Sequence, residues 1–242
     1  MPPVTIPSTQ PPPPVILKHM ISGAAVPLLS PTAADIRWRD IAEALGKLCR
    51  FTGAVMVPHY SVAQHCRLVE TLISGVINSN RCADSLIRAA RDRVYPQDSA
   101  VAVHHIIITL SNARRDHTIA RHLSLAALIH DAHEAHIGDI ATPVAEALAH
   151  LGAPHAIDQL KGLHDRAIYA AADLPWPLPE GWRTVIHTAD RIALATERRD
   201  LLAASALPWA YPLPDPAPWP IKAEREDIAA CRWLERFSDL TL

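Results

Sequence analysis

Cysteine is scarce: Cys49, Cys66, Cys82 and Cys231 are the only four in 242 residues, and no two form a C-x-x-C pair. That argues against both a zinc knuckle and a disulfide framework, so a reduced, cytoplasmic setting is expected. Charge of one sign is not in excess either, since 23 Lys and Arg face 25 Asp and Glu for a net charge of −2. So balanced a chain has no field to gather duplex nucleic acid, although local arginines can still bind a small anion. No stretch approaches the ~20 consecutive apolar residues of a membrane span, and the N-terminus has no charged-then-apolar signal pattern, so no membrane partner is expected. The 49% of residues that are apolar suffice for a substantial core in one domain.

Proline crowds Met1 to Pro14, where it removes amide donors and fixes φ. Residues 1–20 are therefore expected to form a flexible, proline-rich tail ahead of a single domain over 21–242. Trp38, Ile41, Leu45 and Leu48 recur at helical spacing, which predicts an amphipathic helix over Ile36–Cys49 ending near Arg50. Ser61 and Gln64 have the spacing of a capping box, and the helix they start should bury Val62, Cys66, Val69, Ile73 and Val76 with His65 beside that face. A break is expected at Asn78–Asn80, then a polar helix over Ala83–Arg93, then another opened by Pro96 and Asp98. Further helices are expected over Ala156–Ala171, Trp182–Ala204 and around Ile228, Cys231 and Leu234. A proline-rich turn at Leu174–Pro179 and the irregular stretch Pro208–Pro220 interrupt them, and no strand is expected. The fold class read from this pattern is all-α.

The densest chemistry lies in Ile129–Pro143, IHDAHEAHIGDIATP. Ile119, Leu123, Ala126 and Ile129 repeat with helical period and lead His130 to the buried side of a helix expected to run until Gly138. Adjacent His130 and Asp131 can hold one metal ion between them, because imidazole nitrogen and carboxylate oxygen both suit a borderline divalent cation. Glu134, one turn further along the same helix, would then reach a water on that ion without being a ligand itself.

The series YSVAQH at Tyr60–His65, LIHDAHEAHIGD at Leu128–Asp139 and TADRIALATERRDL at Thr188–Leu201 resembles the HD-superfamily phosphohydrolases. More narrowly it resembles bacterial 5′-deoxynucleotidases and phage-encoded deoxynucleotide hydrolases, from about Ile21 to the C-terminus. The resemblance implies an HD-domain helical bundle with one divalent ion held by His65, His130, Asp131 and Asp190. Zinc, cobalt, manganese or iron would suit that set, with magnesium a poorer match. It implies that Glu134 and Asp139 are the acidic residues that serve the attacking water and the leaving oxygen, and that Arg50 with Phe51 contacts the nucleotide. The implied substrate is a small 5′-deoxynucleotide, monophosphates first, and the implied assembly a homo-oligomer. Two positions depart from the family pattern: Ala145 stands where a phosphate-binding lysine is common, and Thr52, Gly53 and Ala54 stand where a histidine is.

Each residue also has a plainer reading. His65 alone suits a satisfied core histidine, Glu134 a surface charge, Asp139 a turn residue after Gly138, and Arg50 a partner for the carbonyls at its helix end. Glu197, two turns after Asp190, is expected to orient a neighbouring arginine or a ligand histidine. His104, His105, His117, His122 and His150 are assigned to surface or packing. Three other functions remain open: a deoxynucleoside triphosphate triphosphohydrolase or pyrophosphohydrolase, a nucleotide-binding module without activity, and a dinuclear oxygenase or cyclic-dinucleotide hydrolase. The last would require His155, His164 or His187 to join the site.

Overall fold

The computed structural model describes residues 15–79, 83–95, 97–206, 209 and 212–242. The expectations for residues 1–14, Asn80, Cys82, Pro96 and Pro208 lie outside these. Ten α-helices make up the described fold: α1 (Trp38–Lys47), α2 (Val62–Asn78), α3 (Ala83–Ala89), α4 (Ser99–Arg115), α5 (His117–Leu128), α6 (Glu134–Ile137), α7 (Thr142–His150), α8 (Ala156–Ala171), α9 (Glu180–Leu201) and α10 (Glu226–Thr241). The chain is all-α, as its periodicity indicates.

Helix α2 is the centre of the bundle and packs against α1, α4, α5, α9 and α10. Its sequence explains that position, because Val62, Cys66, Val69, Ile73 and Val76 form a continuous buried stripe at three- and four-residue spacing. Its N-cap differs from the expected reciprocal box. Ser61 Oγ accepts from the Gln64 amide at 3.2 Å, but the Gln64 side chain reaches away, donating to Lys222 O at 2.6 Å and accepting from Glu224 N at 3.0 Å. A tertiary partner has replaced the local one, and the extended strap before α10 is thereby tied to the start of α2.

Four further local expectations need correction. Leu17–His19 and Ala25–Pro27 pair as a short antiparallel hairpin, β1 and β2, within and just after the stretch assigned to the tail. Three residues per strand are too few to display an alternating pattern. Ser22, between the strands, donates through N and Oγ to buried Asp40 at 3.1 and 2.5 Å, which ties the hairpin to α1. In α10 the buried face is Ala229, Ala230, Trp233, Phe237 and Leu240, while Ile228 and Cys231 of the expected face are exposed and Leu234 is half-buried. Small Ala230 turns inward because α1 crosses there at close range: a Cβ on Gly46 would lie 2.8 Å from Ala230 Cβ and 2.6 Å from Glu226 O. The polar helix after the break also shortens, with α3 giving way to a wider π turn over Ala90–Val94.

The fourth correction matters most for the site. The helix expected to carry the His-Asp pair on to Gly138 stops at Leu128, and Ile129–His133 turn before α6 begins. A helix that stops leaves unpaired carbonyls in its last turn, and here side chains pair them. Tyr169 Oη donates to Ala126 O at 3.3 Å, His130 Nδ1–H to Ala127 O at 2.8 Å, and Trp233 Nε1–H to Leu128 O at 3.2 Å. Two of those three donors come from α8 and α10.

Candidate metal centre

His65 stands in the first turn of α2, and its ring is fully buried. Its Nδ1–H donates to Glu197 Oε1 at 2.7 Å, which fixes the tautomer and turns Nε2 inward. The carbonyl of Ala127 does the same for His130 through its Nδ1 at 2.8 Å. Both Nε2 atoms are buried without a hydrogen-bond partner among the described residues. Asp131 Oδ2 lies 3.2 Å from His130 Nε2 and 3.5 Å from His65 Nε2, and Asp190 Oδ1, contributed by α9, lies 3.2 Å from His65 Nε2. The ligating atoms of His65, His130 and Asp131 all fall within 4.8 Å of one another. Two orphaned imidazole nitrogens aimed at two carboxylates form the donor set of a borderline divalent cation, so these residues could hold a metal ion.

A positive group already occupies one side of this cluster. Arg50, just after α1, places Nη2 3.3 Å from Glu197 Oε2 and Nη1 3.7 Å from Asp131 Oδ2, while its buried Nε has no hydrogen-bond partner among the described residues. Burial opposes its charge, but Glu197, Asp131, Asp190 and Glu134 outweigh burial and hold the guanidinium charged. Phe51 follows with its ring centroid 5.5 Å from the guanidinium carbon. Phe51 and Thr52 both adopt left-handed backbone, with φ of 56° and 54°. That conformation is rare for a bulky side chain and costs about 1 to 3 kcal/mol per residue, so the surrounding structure must impose it.

Glu197 therefore has the part expected of it twice over, orienting His65 with one oxygen and Arg50 with the other. Tyr60, which the sequence reading left without a role, adds a third contact through Oη–H donated to Glu197 Oε1 at 3.0 Å. The available signal was its place directly before the Ser61 cap, where a large apolar body packs inward. Burial works against ionisation of Glu197, yet Arg50 and His65 keep its carboxyl below the ordinary range.

Asp131 lies in the turn before α6, and Glu134 is the first residue of α6, so no single helix carries both. The turn between them is built from three-residue steps, with Glu134 N donating to Asp131 O at 3.0 Å and Ala135 N to Ala132 O at 3.2 Å. Residues three apart nearly eclipse in such a turn, so Glu134 still lies over Asp131. Its side chain is buried, Oε2 has no hydrogen-bond partner among the described residues, and burial together with Asp131 and Asp139 pushes the carboxyl up to about 9. Asp139, half-buried after Gly138, is raised by burial and Asp131 against the pull of Arg50, which puts it in the same electrostatic environment. A pocket of about 270 Å³ lined by Lys18, Lys47, Leu48 and Glu134 opens beside this turn. The larger one, about 620 Å³, lies between α3 and the strap and contains none of these residues.

Three further histidines were not separated from packing residues by their spacing. His133 Nδ1 pairs with Asp165 Oδ1 at 2.9 Å, and His136 Nδ1 meets His164 Nδ1 at 3.1 Å. His164 thus lies beside α6 rather than among the four converging side chains, and His187 Nδ1 is engaged with Tyr95 Oη at 2.7 Å.

No protein-family model matches the chain. It is similar to an uncharacterized protein of Rhodobacter capsulatus, with 29% identity over 189 residues that cover 78% of this chain and 74% of that protein.

Proposed function

We propose that the chain is an HD-type, metal-dependent phosphohydrolase that cleaves the phosphoester of 5′-deoxynucleotides, monophosphates first. The observation that carries this reading is the convergence of His65, His130, Asp131 and Asp190 beside a buried arginine and a buried glutamate. The first four would hold one divalent ion, zinc, cobalt, manganese or iron. Such an ion supplies Lewis acidity to water and to a phosphoryl oxygen, and its charge favours the ionised form of Glu134.

The chain's own residues supply the rest. Glu134 takes a proton from the attacking water at its carboxylate, a contribution of roughly 10²- to 10⁴-fold. Arg50, kept charged by Glu197 and Asp131, offers its free Nε–H to the substrate phosphate, and charge-assisted hydrogen bonds of this kind are the strong ones. Asp139, whose proton affinity burial raises, delivers a proton to the departing sugar oxygen. Phe51 presents its half-exposed ring beside Arg50 as a face for the nucleoside. Because Ala145 brings no charge, Arg50 carries most of the phosphate recognition.

The test is a panel of deoxynucleoside and ribonucleoside mono- and triphosphates with each metal, reading inorganic phosphate against pyrophosphate and triphosphate. Release of inorganic phosphate from 5′-deoxynucleoside monophosphates is expected. Release of triphosphate would reassign the chain to triphosphohydrolysis, and equal turnover of a minimal phosphate ester would remove the nucleotide assignment.

A further inference from the structure

We propose that a second divalent cation binds between Asp131, His133 and Glu134, so that Asp131 bridges two ions. The inference rests on the first site holding an ion, and it goes beyond that site in both ligands and number.

The ligating atoms of Asp131, His133 and Glu134 all lie within 4.8 Å of one another. Two of the three residues are strongly buried, His133 and Glu134 at 5% exposure each, and both present an orphaned atom: among the described residues His133 Nε2 and Glu134 Oε2 have no hydrogen-bond partner. A buried polar atom left unpaired costs about 1 to 3 kcal/mol, and two of them in one such group call for an occupant. The ring of His133 is also set as ligand histidines are, because Nδ1 is held by Asp165 Oδ1 at 2.9 Å and Nε2 is left for the ion. Glu134 would use one oxygen for the cation and keep the other for the attacking water.

One imidazole with two carboxylates suits manganese, zinc or iron better than magnesium or calcium.

Equilibrium dialysis of the metal-stripped full chain against manganese(II) tests the site directly, with electron paramagnetic resonance as a second readout. Wild type is expected to bind two ions per chain with a spin-coupled spectrum. His133→Ala is expected to bind one with an uncoupled spectrum, and Asp165→Asn to weaken the second equivalent by roughly 10- to 100-fold. Saturation of wild type and His133→Ala alike at one ion would overturn the second site and leave the first intact; the orphaned atoms would then hold water. No binding by folded wild type would remove the first site, and this one with it. Should His133→Ala fail to fold, Asp165→Asn decides, and two ions bound as tightly as in wild type would overturn the proposal.

Discussion

Two sets of enclosed histidines meet at the turn through Asp131, and they are held in opposite states. His65 and His130 lose by burial but gain more from carboxylates, Glu197, Asp131 and Asp190 for the first and Asp131 for the second, and both sit well above the ordinary histidine range. His136 and His164 have each other and His133 for company; burial lowers both, helped by His164 and His133 for His136, which falls to about 4, and by His133 for His164. Burial alone therefore does not make a histidine a ligand candidate. The distinguishing feature is an acidic neighbour facing the second ring nitrogen, as Asp131 and Asp190 face Nε2 of His65 and Asp131 faces that of His130; His133 has Asp165 on Nδ1 and shares one possible cation group with Asp131 and Glu134.

The comparison breaks most severely at Asp131, the carboxylate that belongs to both sides. Asp131→Ala is expected to lose all bound metal and reduce turnover to background, measured by metal analysis and phosphate release. Full metal content in that variant would show that the carboxylate is not a ligand. Glu134→Ala should be milder, keeping the ion at His65, His130, Asp131 and Asp190 while slowing turnover by roughly 10²- to 10⁴-fold. If it instead emptied as completely as Asp131→Ala, Glu134 would be a ligand of the first ion and not its base.

Next in size is Arg50→Ala, which removes a buried guanidinium from among the acidic side chains. A charge-assisted contact contributes about 1.5 to 3 kcal/mol, so kcat/KM for a deoxynucleotide should fall roughly 10- to 150-fold with metal retained. An unchanged kcat/KM would confine Arg50 to its pairing with Glu197. The smallest effect concerns the lowered set. Because His164 is held below its ordinary value in the fold, the unfolded chain takes up its proton first as pH falls. Its contribution to stability is thus present above the ordinary histidine value of about 6.5 and lost below it, with a slope of at most about 1.4 kcal/mol per pH unit. His164→Gln should flatten urea-unfolding stability between pH 7 and 5 relative to wild type, and an equal slope would mean that His164 is already paired as a cation.

Much of this was legible from local pattern. Helix α8 begins at Ala156 and ends at Ala171 as its periodicity indicates, and the buried stripe of α2 is the one its spacing predicts. The residues singled out on the three motifs, His65, the His130–Asp131 pair and Asp190, converge although the chain separates them widely. Where local reading failed, a distant partner had intervened. Gln64 forgoes its own cap for Lys222 and Glu224, the inward face of α10 shifts to admit the close crossing at Gly46, and Tyr60 acquires its role only from Glu197.

By itself the sequence determined the apolar periodicities, and hence an all-α chain, and it determined which side chains were chemically able to bind a cation. Only the tertiary structure decided how that chemistry is aimed. The helix before the His-Asp pair ends at Leu128 because Tyr169, His130 and Trp233 take over its last carbonyls, and the tight turn that follows stacks Glu134 over Asp131 and sends His133 to Asp165. Periodicity records which face of a helix is apolar; it contains nothing about donors arriving from α8 and α10, and those donors end the helix and orient the site.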